Sequence, residues 1–173
     1  DFSDESLGVQ PEPGSVAAKP YRQTARAILI DDNNHILLGH NVNVGNYETI
    51  GGGIHLGELR LEGLKREVLE ETGYDFEVLD FICKTTEHRN GVGLTQDSFT
   101  YLCRARAQVT KPNYTEKELA SGQRNVWCDN IDDAISKVEA PVKNLSYSKQ
   151  FMQARDAAIL RKAKDIIESK YAK

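Results

Sequence analysis

The chain has 173 residues, 39% of them hydrophobic, and a formal charge of −4 from 22 Lys and Arg against 26 Asp and Glu. That length suits one domain with a buried core and leaves no room for a second full one. No apolar run approaches the roughly 20 residues of a membrane-spanning helix, and no basic cluster has the footprint of a protein that tracks a nucleic-acid backbone.

Residues 1–20, DFSDESLGVQPEPGSVAAKP, mix acids, Ser, Gly and Pro without any period and read as a flexible N-terminal arm. They open on Asp1 without a basic-then-apolar leader pattern, so the chain is expected to be a trimmed protein of the cytoplasm. The domain begins near Tyr21. Apolar runs at 24–30 and 35–38 flank DDNN, the chemistry of a tight turn between two strands. After residues 47–50 and the triplet Gly51, Gly52 and Gly53, Leu61, Leu64 and Val68 recur at three- and four-residue steps. This spacing predicts a helix over 58–72, stopped by Gly73. Residues 76–87 and 94–109 read as an antiparallel strand pair around NGVG, and 111–123 as a loop or short helix before a strand at 125–128. Asn130 with Asp133 marks the N-terminus of a short helix through Val138. From 148 to 171, Met152, Ile159, Ala163 and Ile166 share one face of a long amphipathic helix that packs on the domain or on a second subunit, making a homodimer plausible. Domain limits follow as 1–20 for the arm, 21–140 for the folded unit and 141–173 for a linker and final helix. Strands interleaved with a few helices place the chain in the α+β or α/β-layered class. Cys83, Cys103 and Cys128, odd in number and set among strand-like residues, read as reduced core thiols.

The stretch REVLEETG crowds Glu67, Glu70 and Glu71 onto an arc of about 100 degrees of one helix, beside its apolar stripe. Like charges at this spacing repel, and acids near a helix C-terminus oppose its dipole. Spacing alone leaves two readings open: a charged helix laced by local pairs with Lys65 and Arg66, or a cation site.

Upstream lies GGIHLGE. Gly52 to Glu58, followed by Arg66, Glu67, Val68, Glu70, Glu71, Gly73 and Tyr74, fits G-x5-E-x7-R-E-U-x-E-E-x-G-U, the Nudix box. The chain therefore resembles the Nudix hydrolase family (MutT-like). Tyr74 is a soft departure from the usual bulky aliphatic residue, and the likeness extends more loosely over about residues 21–140. The resemblance implies an α/β/α sandwich around a mixed β-sheet and hydrolysis of a pyrophosphate bond in a nucleoside diphosphate linked to another moiety. The leading substrate classes are a nucleotide sugar such as ADP-ribose and a nucleoside triphosphate. It implies Mg2+, with Mn2+ as an alternative, held by Glu70, Glu71 and the Gly51 carbonyl, and Glu67 as a ligand or the base. Glu58, Arg66, Gly52 and Gly73 would orient the box. Glu116 and Glu118 lie where relatives add a loop carboxylate, and Glu118 is preferred. Where many relatives carry a phosphate-binding Arg, this chain has His40, and Arg26, Arg89 or Arg104 would substitute. Other readings are a nucleotide sensor without turnover and a pyrophosphohydrolase of RNA 5′ ends. Retention of Glu67, Glu70 and Glu71 favours an enzyme, and the acidic balance argues against a nucleic-acid polymer as partner.

Overall fold

A computed structural model describes residues 1–10 and 20–171. The chain runs β1 (Phe2–Ser3), α1 (Asp4–Leu7), β2 (Tyr21–Ile30), β3 (Ile36–Asn41), β4 (Asn46–Glu48), β5 (Ile50–Gly53), α2 (Arg60–Thr72), β6 (Tyr74–Arg89), β7 (Leu94–Gln108), α3 (Glu116–Ala120), β8 (Gln123–Cys128), α4 (Ile131–Glu139) and α5 (Tyr147–Ile166). A short 3-10 turn, Asn90–Val92, joins β6 to β7, and α5 ends in a π-helical turn, Ile167–Tyr171. The strands form one mixed sheet in the order β1-β6-β7-β2-β3-β4, with β5 on β2 and β8 on β3. The longest pairings are the antiparallel β6–β7 and the parallel β2–β7.

Alternation along β2 builds a layer on each side of the sheet. Ala25, Ala27 and Leu29 pack with Leu64 and Val68 of α2, whereas Ile28 and Ile30 pack with Ile131 and Ile135 of α4 and Ile159, Leu160 and Ala163 of α5. This is the expected α/β/α sandwich. The final helix lays its apolar stripe on the chain's own sheet. Met152 is not part of that core, which uses Tyr147, Phe151, Ile159, Leu160 and Ala163 instead.

Three expectations change. Helix α2 starts at Arg60, because Glu58 stays in the loop and accepts hydrogen bonds from Arg66 and from the His55 N–H. Leu61 is 49% exposed, leaving Leu64 and Val68 to carry the helix's apolar contact. The beginning of the chain is not a free arm. Phe2–Ser3 pairs in parallel with Glu87–His88, the Ser3 hydroxyl caps α1, and Val9, Leu7 and Phe2 pack against Tyr147 and Phe151. A composition poor in apolar residues hid this docking because three side chains suffice when the receiving face is already built. Residues 11–19 of the expected arm lie outside the described part.

The three cysteines are free thiols, with Cys103 and Cys128 buried. Among the described residues, no helix is long and apolar enough to cross a membrane.

Candidate active site

Four groups of residues meet around one cavity of about 520 Å3. The box contributes Gly51, Gly52, Gly53, Glu67 and Glu71, and the floor comes from Arg22 and Arg26 of β2 with Gln96 of β7 and Arg89 at the end of β6. The loop around α3 adds Thr115, Lys117 and Glu118, and α5 adds Ser148, Lys149, Met152 and Arg155.

The box is held by Arg66. Its Nε and Nη2 donate to Glu58 at 2.9 and 3.0 Å, Nη2 also donates to the Gly53 carbonyl at 2.8 Å, and Nη1 donates to Glu67 Oε1 at 2.7 Å. These Arg66 hydrogen bonds, with the His55 N–H, hold the Glu58 carboxyl down to about 2. One guanidinium thus fixes the loop, the helix and the orientation of Glu67. The carboxylate of Glu67 lies against Gly52, where any Cβ would overlap it. Gly73 ends α2 at φ 74°, and a side chain there would collide with the Thr110 carbonyl.

Glu71 accepts the Gly51 N–H at 2.9 Å. Burial pushes its carboxyl up to about 8; the Gly51 N–H and Arg26 pull it down, and Glu67 and Glu118 push it further up. A partly buried acid facing two others is unfavourable as an anion without a counter-charge, and its donors are hard oxygens. Both facts suit a divalent cation such as Mg2+ or Mn2+. Among the described residues, no three acidic, His or Cys side chains are grouped closely enough to hold an ion in the present arrangement.

The carboxylates that share one arc in the sequence divide in space. Glu67 and Glu71 line the cavity. Glu70 is outside the lining, with a side chain 48% exposed and 3.4 Å from Arg66 Nη1. Glu118 reaches the cavity while its Oε2 accepts the N–H and hydroxyl of Thr115 at 2.7 and 2.8 Å, as the cap of α3. Tyr114 is nearby: burial, then Glu71 and Glu118, raise its hydroxyl to about 12.

Of the four expected substrate contacts, Arg26 and Arg89 line the cavity. His40 stacks on Tyr47, with ring centroids 4.1 Å apart, and is not in the lining. Arg104 is also elsewhere, donating to the Asp31 carbonyl and to Asp32 beside the β2–β3 turn. Arg22, Lys117, Lys149, Ser148 and Arg155 did not emerge from the sequence. A signal existed in β2, where Arg22, Thr24 and Arg26 alternate ahead of Ile28 and Ile30 on one strand face, and in β7, where Gln96, Ser98 and Thr100 precede Leu102 in the same way. The side chains of Arg22 and Lys117 have no hydrogen-bond or ion-pair partner among the described residues.

A model of the NUDIX domain matches residues 20–144. An RNA pyrophosphohydrolase of Ruthia magnifica subsp. Calyptogena magnifica is 26% identical over 112 residues, which cover 65% of this chain and 55% of that protein. The match thus spans about half the length of that relative. Similar solved structures include the E. coli ORF135 protein, with a TM-score of 0.62, 18% identity and coverage of 92% of this chain and 100% of that one. A NUDIX hydrolase from Nitrosomonas europaea has a TM-score of 0.59 at 20% identity, covering 87% and 91%. An ADP compounds hydrolase has 0.60 at 18%, covering 87% and 75%. At these identities the structural likeness establishes the fold.

Proposed function

From the NUDIX domain family, to which this chain belongs, we infer that the protein is a metal-dependent hydrolase of a pyrophosphate bond in a nucleoside diphosphate linked to another moiety. The observation that carries this reading is the placement of Glu67, Glu71 and the Gly51–Gly53 backbone in the wall of one cavity. The cation would be held by Glu71, Glu67 and the Gly51 carbonyl, with Glu70 and Glu118 as further candidate donors. When bound, it neutralises phosphoryl oxygens and makes water more acidic.

The chain's own residues account for the rest. Arg66 occupies Oε1 of Glu67, which leaves Oε2 as the atom that takes a proton from attacking water. The Gly51 N–H occupies Oε2 of Glu71 and fixes that carboxyl toward the cavity. Arg22 and Lys117, whose side chains are unpaired among the described residues, supply donors to the diphosphate oxygens. Arg26 gives one guanidinium nitrogen to the Thr49 carbonyl at 3.0 Å and is thereby positioned beneath the site. Catalysis then rests on orientation and on stabilising charge that develops at phosphorus.

A nucleotide sugar and a nucleoside triphosphate are the first substrates to try. The RNA pyrophosphohydrolase relative makes a 5′-triphosphorylated RNA the third. The test is a panel of these compounds with Mg2+, with Mn2+ and with EDTA, followed by product analysis. Cleavage between phosphoryl groups that requires the added cation is expected, with Glu71→Gln inactive. Tight nucleotide binding without cleavage of any member, under any cation, would instead identify a sensor.

A further inference from the structure

Thr49 joins two strands that belong to different ladders. Glu48 before it pairs with Gly39 of β3, Ile50 after it pairs with Ala27 of β2, and Thr49 itself is in neither register although it is buried. Buried main-chain groups must then find partners elsewhere. Those of Thr49 find them in two charged side chains. Its N–H donates to Asp156 Oδ2 at 2.8 Å, and its carbonyl accepts from Arg26 Nη1 at 3.0 Å. Arg26 Nη1 also donates to the Thr49 hydroxyl at 3.3 Å. One residue is thus gripped at both of its main-chain groups.

Asp156 is fully buried in α5 and is not part of the cavity wall, whereas Thr49, Ile50 and Gly51 all line it. Its other oxygen, Oδ1, accepts Arg155 Nε at 2.8 Å. Arg155 therefore fixes the carboxylate, and the remaining edge of that carboxylate meets Thr49. Two residues further on is Gly51, whose N–H holds Glu71 and whose carbonyl is a proposed cation ligand. Gly51 sits at φ 130°, and a Cβ there would overlap the Ala25 carbonyl of β2. Glycine fits this conformation but brings no side chain to hold it. What fixes Gly51 is the backbone of β2 on one side and the anchored Thr49 at the entry to β5.

We propose that Asp156 is a positioning residue of the hydrolytic site. It holds the Thr49 N–H while Arg26 holds the Thr49 carbonyl, and together they set the direction in which Gly51 presents its N–H to Glu71 and its carbonyl to the cation. The inference rests on the pyrophosphohydrolase reading for the cation, and on the main-chain bonds alone for the clamp. Helix α5 thereby acts on the box from the far end of the chain without touching substrate. Ile159, one turn further along the same helix, packs in the apolar core and makes no such bond. It provides the comparison that separates positioning from anchorage of the helix.

The experiment compares the full chain as wild type, Asp156→Asn and Ile159→Ala, first by amide hydrogen exchange in NMR without metal and then by calorimetric titration with Mn2+. Asparagine keeps the volume but must turn an amide N–H toward either Arg155 or Thr49, so it cannot accept from both. Global destabilisation speeds all slow amides alike, and the Thr49 and Gly51 rates are therefore read against those of the β6–β7 pair. Both amides should exchange faster on that scale in Asp156→Asn and not in Ile159→Ala. Mn2+ binding should weaken by about tenfold in Asp156→Asn, as when a group that orients a metal ligand is lost, and stay at the wild-type value in folded Ile159→Ala. With Mg2+ and substrate, Asp156→Asn should lower kcat and leave KM near the wild-type value. Thr49 and Gly51 exchange and Mn2+ affinity in folded Asp156→Asn equal to those of Ile159→Ala overturn the assignment and leave Asp156 an anchor of the helix. If Asp156→Asn does not fold, wild type decides: a scalar coupling across the hydrogen bond from the Thr49 nitrogen to Asp156 Cγ is expected, and its absence overturns the clamp. Failure of all hydrolysis would defeat the enzymatic reading alone, because the metal-free amide measurements still decide the role of Asp156.

Discussion

The two halves of α5 cover the same face of the same sheet and meet opposite surroundings. Its second half, with Ile159, Leu160 and Ala163, rests on Ile28, Ile30 and Leu102 in a dry core. In its first half Arg155 pairs with Glu87, which Gln96 also bonds, and Asp156 accepts the Thr49 N–H, where the strands turn polar while remaining buried. Position along the strand therefore decides whether a sheet residue joins a dry core or a buried polar network. Ile159, Leu160 and Ala163 in one half, with Tyr147 and Phe151 in the other, anchor the helix, so Arg155 and Asp156 can stay buried as charges that are costly to fold.

The largest effect that tests this contrast comes from Arg155→Met, which leaves Glu87 and Asp156 buried without their shared partner. Losing one member of such a network costs about 3–5 kcal/mol, and urea denaturation should show a loss of that order. An unchanged midpoint would mean that the polar half holds water instead of tight ion pairs. In the apolar half, Ile159→Ala should cost about 2–5 kcal/mol as a core truncation. Its effect should appear in denaturation and leave the KM of the folded enzyme in place; a raised KM would show that the two halves are coupled.

Acid sharpens the same contrast. Despite opposition from burial, Arg155 holds the Asp156 and Glu87 carboxyls below their ordinary values of 3.8 and 4.5. Depressed carboxyls contribute stability above their unfolded values and lose it as pH falls through the folded ones. Wild type should thus lose stability below about pH 4.5, and Arg155→Met should flatten or reverse that slope, measured by urea midpoints across pH. The smallest effect belongs to a site outside both halves. Asn130 caps α4 by accepting the Asp133 N–H at 2.9 Å, and Asn130→Ala should cost about 1 kcal/mol with unchanged kinetics.

The elements most legible in the sequence were those whose period is repeated many times. The β6–β7 pair, α5 and the box helix announced themselves through strand or helix spacing, and the box residues through a pattern that fixes positions over a short stretch. Glu67 and Glu71 line the cavity, whereas Glu70 lies outside its lining, 3.4 Å from Arg66 Nη1. The buried ion-pair network beside the cavity was illegible because it is assembled from β6 and α5, distant in sequence and joined by pairs such as Arg155 to Glu87. A polar residue in a strand reads as facing solvent until a helix is known to cover it. His40, where many relatives of the family carry an Arg, stacks on Tyr47 outside the cavity lining. The docking of residues 2–9 depends in the same way on a receptor face that only the folded chain provides.

The proposed action of Glu67 on water in the cavity is open to a single measurement, the steady-state turnover of Glu67→Gln with saturating Mg2+ on the best substrate of the panel. Loss of an acid–base group typically costs about 10²–10⁴ in rate. A fall of kcat in that range is expected, with the melting temperature of the metal-free protein not lowered. Wild-type turnover by a folded Glu67→Gln protein would contradict it.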